Sequence, residues 1–277
     1  MAATSIDLVF SGMRPMETFF KVGATMEAAG ILYSTMYLTG RPGPMLPDPT
    51  ALPLSGESLL TCTGQIPFYN PPTGQNTYLS RFSINSASAG SAFLCDRLWH
   101  NGSLSIAGTV QTINSAVWPE RCPIYSGGTL ANASGHNIMV GIEVGTAATT
   151  NVSAVTNTTM SYTNSDGISG RTGIIASWPA TATFGTFVPF QLASGDKGVQ
   201  SIQSLTLGTT YGAGNIHLVA YRVLAQVNVP VGYGGGFIDA LSGGFPQLYD
   251  NTVPFVLWLP SATTAVTLHG GIIYCQC

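Results

Sequence analysis

The chain has 277 residues, of which only nine are Lys or Arg and twelve Asp or Glu; 8% of it is charged, against about 25% in an average globular domain, and 45% is apolar. A net charge of −3 with no basic run argues against a nucleic-acid binder, which needs Lys and Arg to neutralise phosphates. High apolar content with so little charge is the reverse of a disordered chain, and no run approaches the ~18 apolar residues of a membrane-spanning helix. A surface built from Gly, Ser, Thr and Asn costs little to desolvate, so the composition suits a part packed among protein neighbours.

In chain order, Met1 to Asp7 lacks a cationic segment leading into an apolar one, so the expectation is no secretory signal and assembly in the cytoplasm. Met16, Phe19, Phe20 and Gly23 to Met26 follow an approximate helical spacing between Pro15 and Gly30, which predicts a short helix, although the run also fits a strand. Five prolines between Gly40 and Pro53 exclude helix and sheet interior. They predict extended, polyproline-like chain, either a surface linker or an arm laid across a neighbouring subunit.

From residue 78 the apolar period is two. Ile138, Val140, Ile142 and Val144 share one face of a strand that places Glu143 on the other. Thr158, Met160 and Tyr162 alternate likewise, and Asn164-Ser-Asp-Gly167 reads as a turn before Ile174, Ala176 and Trp178. Ile216 to Val229 is the clearest strand, with His217, Val219, Tyr221, Val223, Ala225, Val227 and Val229 on one face. Its length exceeds the usual ~3–10 residues, which predicts a bulge or a strand shared between two sheets. Gly236 to Gly243 fits one or two helical turns, and Phe255–Leu259 with Thr263–Tyr274 reads as a closing hairpin. Many strands between Gly, Pro, Ser and Asn turns predict an all-β fold, an antiparallel β-sandwich or jelly roll with a short helix or two. Residues 1–55 form an N-terminal segment with the proline-rich arm, and residues 56–277 the β-sandwich domain, as one body or two packed subdomains.

Groups able to do chemistry are few. His100, His136, His217 and His269 form no metal-ligand pair at helical spacing, no Cys-x-x-Cys occurs, and Asp166-Gly-Ile-Ser-Gly170 lacks the spacing of a nucleophile elbow. Cys62, Cys95, Cys122, Cys275 and Cys277 cannot all pair within one chain, so thiols of a reducing compartment are expected. Glu143, alone on its strand face, is expected to pair with an arginine such as Arg121 or Arg171; His217 reads as a hydrogen-bonded structural residue, and Asp196-Lys197 as a turn ion pair. Gly232-Tyr-Gly-Gly-Gly-Phe237 lacks the Lys-Ser/Thr ending of a phosphate loop. The Asn-x-Ser/Thr sequons at Asn101, Asn132, Asn151 and Asn157 are expected by chance in so Ser- and Thr-rich a chain. No catalytic, cofactor-binding or metal-binding residue is assigned, no cofactor is implied, and no enzymatic activity is expected.

Several motifs in series carry a resemblance. They are Asp96-Arg-Leu-Trp-His-Asn-Gly102, Trp118-Pro-Glu-Arg121, Val140-Gly-Ile-Glu-Val144, Ser161 to Arg171, Phe190 to Val199 and Leu218-Val-Ala-Tyr-Arg222. Over roughly residues 78–245 the chain resembles a group of tailed-bacteriophage virion proteins that place such motifs in the same order. The resemblance implies a structural role in the particle, without catalysis. Expected partners are copies of the chain itself and the major capsid protein or other virion proteins, with no nucleic acid and no membrane. A decoration, cement or shell component is the first expectation. A tail or receptor-binding component is the alternative, with exposed aromatics such as Trp99, Trp118 and Tyr233 for sugars.

Overall fold

The two-residue period becomes antiparallel strand through most of the chain, as it does wherever one face of each strand can be buried. The computed structural model describes residues 6–119, 121, 135–230, 234–244 and 246–277. Its first strands are β1 (Glu17–Glu27), β2 (Leu32–Ser34), β3 (Thr39–Arg41), β4 (Glu57–Ser58), β5 (Thr77–Ser86) and β6 (Gly90–His100). Next come β7 (Val110–Thr112), β8 (Met139–Val144), β9 (Thr158–Asn164), β10 (Arg171–Ile175), β11 (Thr186–Pro189) and β12 (Val199–Thr206). The last are β13 (Ile216–Val229), β14 (Gly234–Asp239), β15 (Gln247–Leu248), β16 (Pro254–Pro260) and β17 (Thr264–Gln276). Helix is short: α1 (Ile6–Gly12), α2 (Ala240–Gly243) and two 3-10 turns. The fold is all-β and antiparallel, like a sandwich or jelly roll.

The chain divides into two units. The first comprises Met1–Met45, Thr61–Asp96 and Val223–Cys277. Its larger sheet has the order β14-β5-β17-β1-β3, with β15 also on β5. Its other layer joins β2, β16 and the Gly90–Asp96 part of β6. Phe82 and Ile84 of β5 and Leu268 and Ile272 of β17 pack with Leu94, Val256 and Trp258. Each such side chain contributes roughly 1.5–3 kcal/mol by leaving water. The second unit comprises Leu46–Leu60 and Arg97–Arg222. One of its sheets has the order β10-β9-β12-β7, and β8 lies between β11 and the first half of β13. Met160, Tyr162, Ile202 and Leu205 pack there with Val140, Ile142, Leu218 and Ala220.

The long β13 is shared, as its length predicts. Leu218 and Ala220 belong to the core of the second unit, and Val227 and Val229 to that of the first. Other expectations need correction. The segment read as a helix over Met16–Met26 is strand β1, with Phe19 buried and Phe20 exposed. Pairing with β17, from Glu17↔Ile272 onward, overrides a weak helical spacing. β16 and β17 form no hairpin: β16 pairs with β2 and β6, and β17 lies between β1 and β5, so Pro260-Ser-Ala262 passes from one layer to the other.

The proline-rich stretch is held by its own chain. In the first unit Met45 is buried and donates its N–H to Met36 O at 2.7 Å, and Lys21 Nζ reaches Gly43 O at 3.3 Å. In the second, Asp48 caps the 3-10 turn Pro49–Ala51, accepting from Thr50 N at 3.0 Å. The sequence boundary at residue 55 does not coincide with the division into units.

Candidate functional site

The polar residues flagged along β8 and β13 meet in one buried cluster of the second unit. Antiparallel pairing sets His217 of β13 directly opposite Glu143 of β8. Arg97, on β6, completes the group. Its Nη1 donates to Glu143 Oε1 at 2.9 Å and its Nη2 to Oε2 at 2.7 Å, with both side chains fully buried. This two-pronged geometry is the strongest a carboxylate and guanidinium can make.

His100 closes the same strand. Arg97 Nε donates to His100 Nδ1 at 3.2 Å, so the ring proton sits on Nε2, facing Glu57 Oε1 at 3.4 Å across the β4–β6 pair. Burial, followed by the Arg97 charge, pushes the His100 pKa down to about 2, and the ring stays neutral. Its basic nitrogen is therefore occupied by an arginine and cannot collect a proton.

A second group adjoins it. His217 Nδ1 donates to Asn101 O at 3.0 Å, and its Nε2 lies 2.8 Å from Asp48 Oδ1. The other Asp48 oxygen accepts from Thr146 N at 2.7 Å and Asn215 Nδ2 at 3.2 Å. Burial alone would raise the Asp48 pKa. Hydrogen bonds from His217, Thr50 and Thr146 outweigh it and hold the carboxyl well below the usual range. Asn101, fully buried, donates to Leu54 O and accepts from Leu218 N at 2.8 Å. Arg121 donates to two carbonyls, Leu59 O at 2.6 Å and Arg97 O at 2.9 Å. Chemically, this set can fasten β6, β8 and β13 to the 46–60 segment, which carries β4.

Sequence expectations fare unevenly here. Glu143 does pair with an arginine, but it is Arg97, neither Arg121 nor Arg171. His217 is hydrogen-bonded, as expected. Asp196 pairs with Arg171 at 2.9 Å, not with Lys197, and also accepts from Asn164 and Tyr162, which together bring its pKa to about 2. Trp99 and Trp118, the aromatics considered for sugars, are buried against each other with centroids 5.1 Å apart. Each indole N–H is used, on Ser55 O and Val199 O. Tyr233, Cys122 and Asn132 lie outside the described residues. Cys275 and Cys277 have their sulfurs 3.9 Å apart, unbridged. Sequence reasoning missed Arg97 and Asp48. A signal existed for the first: Asp96-Arg97 interrupts the apolar run Ala92 to Trp99.

Among the described residues no group of three or more His, Cys, Asp or Glu is placed to hold a metal ion. A recess of the first unit, lined by Leu79, Leu224, Ala225, Ile238 and Asp239 among others, has a cavity volume of about 20 Å³. That is room for a water, not for a sugar ring. No helix among them is long and apolar enough to cross a membrane.

No family model matches the sequence, and no curated protein does. Among solved structures, infectious bursal disease virus, Gx strain, is similar at 16% identity over 76% of this chain and 45% of that chain, with a TM-score of 0.19. The Gt strain of that virus matches at 14% identity over 95% and 82%, TM-score 0.18, and its VP2 subviral particle at 12% over 96% and 81%, TM-score 0.17. The chain thus spans less than half the length of the first of these. Overlap this slight establishes no correspondence of elements or residues.

Proposed function

We propose that this chain is a structural component of a bacteriophage virion, a capsid decoration or shell protein that binds the major capsid protein and copies of itself. One observation carries the reading. Of the few charges in the sequence, Lys21, Asp96, Arg97, Arg121, Glu143 and Arg222 are buried. The fold thus removes four of nine cations from a surface already poor in them. At the same time Val152 and Leu241 are almost fully exposed, and Phe10, Val110 and Val117 largely so. A β surface poor in charge and bearing apolar side chains is cheap to desolvate, and in a symmetric particle many modest contacts add up. The reading involves no catalysis: the buried cluster fastens strands.

The test is copy number. Quantified in purified particles beside the major shell protein, the chain should be present in hundreds of copies. Six or twelve copies would place it in a tail or vertex ring and overturn the decoration or shell assignment.

A further inference from the structure

We infer that β14 is a self-pairing edge, through which two copies of this chain join antiparallel about a two-fold axis at Phe237. The inference rests on the assembly reading above and names its contact. β14 ends the larger sheet of the first unit and pairs only with β5, in an unbroken register from Gly234↔Ser86 to Asp239↔Arg81. Among the described residues no backbone hydrogen bond reaches Gly234–Ile238 from any other strand. Asp239 N–H is already used, donating to Ser242 Oγ at 3.1 Å. Edges of this kind are normally blocked by Lys, Pro or a bulge. Gly-Gly-Gly-Phe-Ile238 has none of these.

An open row of N–H and C=O groups asks for another strand, and the side chains select a second copy. Residues directly opposite in an antiparallel pair share a face. A two-fold axis at Phe237 therefore sets Phe237 against Phe237 of the second copy, Gly236 against Ile238, and Gly235 against Asp239. Phe237 is 59% exposed and carries the Arg81 guanidinium 4.5 Å from its ring centroid, so two rings would meet, each backed by a cation. Ile238 finds a glycine opposite, over which Asn228 O and Val227 Cγ1 of the same chain lie. A Cβ on Gly235 would fall 1.8 Å from Asn85 Oδ1, so the Asn85 amide already lies across Gly235. No like charges stand opposite each other, and the contact closes on itself as a two-fold interface does.

Phe237→Cys in the full chain tests the register. Directly opposite Cβ atoms lie about 4.5–5.5 Å apart, a gap that a small shift closes to a disulfide. Under mild oxidation, mass spectrometry of the variant should show two copies of the peptide spanning position 237 joined by a disulfide, with the mass doubled in light scattering. A chain that self-associates yet gives no such linked peptide overturns the β14 contact and leaves the assembly reading standing. A chain that stays monomeric at millimolar concentration overturns both. In particles, a disulfide from position 237 to a different virion protein overturns the second copy as occupant. Amide exchange on the unaltered chain guards against a misfolded variant: Gly234–Ile238 should exchange at least tenfold more slowly in concentrated than in dilute solution. Exchange independent of concentration overturns the contact.

Discussion

The two units bury charge in opposite ways. In the second, Arg97 meets Glu143 with two hydrogen bonds, Arg121 meets two carbonyls, and Asp48 meets His217, Thr50, Thr146 and Asn215. In the first, the buried cation is Lys21, whose ammonium reaches the carbonyls of Gly43 and Gly64 at 3.3 and 3.4 Å. Burial pushes the pKa of Lys21 down to about 8. A buried charge with an opposite partner costs little net stability and fixes which strands lie together. Lys21, whose charged form burial disfavours despite its two carbonyls, remains a cost. The second unit is thus specified by polar groups, and the first by the fit of apolar ones.

The sharpest way to break this contrast is Glu143→Ala. It leaves Arg97 buried without its carboxylate, and the chain should lose roughly 3–5 kcal/mol in urea unfolding. Replacing both partners, with Arg97→Met and Glu143→Leu, should restore most of that stability, because no orphaned charge remains. A loss below about 1 kcal/mol in the single variant would show that the pair does not hold the second unit.

Lys21 gives the next largest effect, with pH as the lever. Its pKa is about 8 folded and 10.5 unfolded, so between those values the unfolded chain binds more protons and stability rises with pH. The full rise is on the order of 3 kcal/mol. Buried Tyr211, Tyr274 and Cys95, all with raised pKa values, oppose it at alkaline pH. The measurement is therefore a difference: unfolding of the native chain minus that of Lys21→Met, from pH 7 to 10.5. This difference should climb in favour of the lysine chain. A flat difference would mean that Lys21 is solvated and that the first unit bears no such cost.

These effects show what was legible before the fold. Alternation over Ile138–Val144 and Ile216–Val229 located β8 and β13, because a buried face leaves a local imprint. It also marked Glu143 and His217 as satisfied groups. Their partners were another matter. Arg97 is 46 residues from Glu143, Asp48 is farther still from His217, and nothing in a local period encodes which distant strand lies opposite. The same blindness turned β1 into a helix and joined β16 to β17. Prolines between Gly40 and Pro53 kept an α-helix out, but could show neither the 3-10 turn Pro49–Ala51 nor that the stretch lies on its own chain. Trp99 and Trp118 were ambiguous for another reason: an aromatic residue serves a core and a sugar surface equally well.

Asp48→Asn is the gentlest probe and bears on the second unit alone. Asparagine keeps one acceptor, for Thr146 N–H, and turns a donor toward groups that the carboxylate accepts from. A loss of about 1–2 kcal/mol at pH 7 is expected. Its pH course carries the argument. The Asp48 pKa is depressed by folding, so its contribution is complete above the unfolded value of 3.8 and disappears as pH falls toward the folded one. The native chain should therefore lose its advantage over Asp48→Asn below about pH 4. A difference that stays constant from about pH 7 to 3 would mean that the charge of Asp48 is not what ties the 46–60 segment down. With Lys21, the outcome gives responses of one sign in different pH ranges: the Lys21 contribution to the first unit rises with pH in alkali, and the Asp48 contribution to the second rises with pH in acid. Charge thus costs stability at Lys21, where burial disfavours the charged form, and adds it at Asp48, where hydrogen bonds outweigh burial.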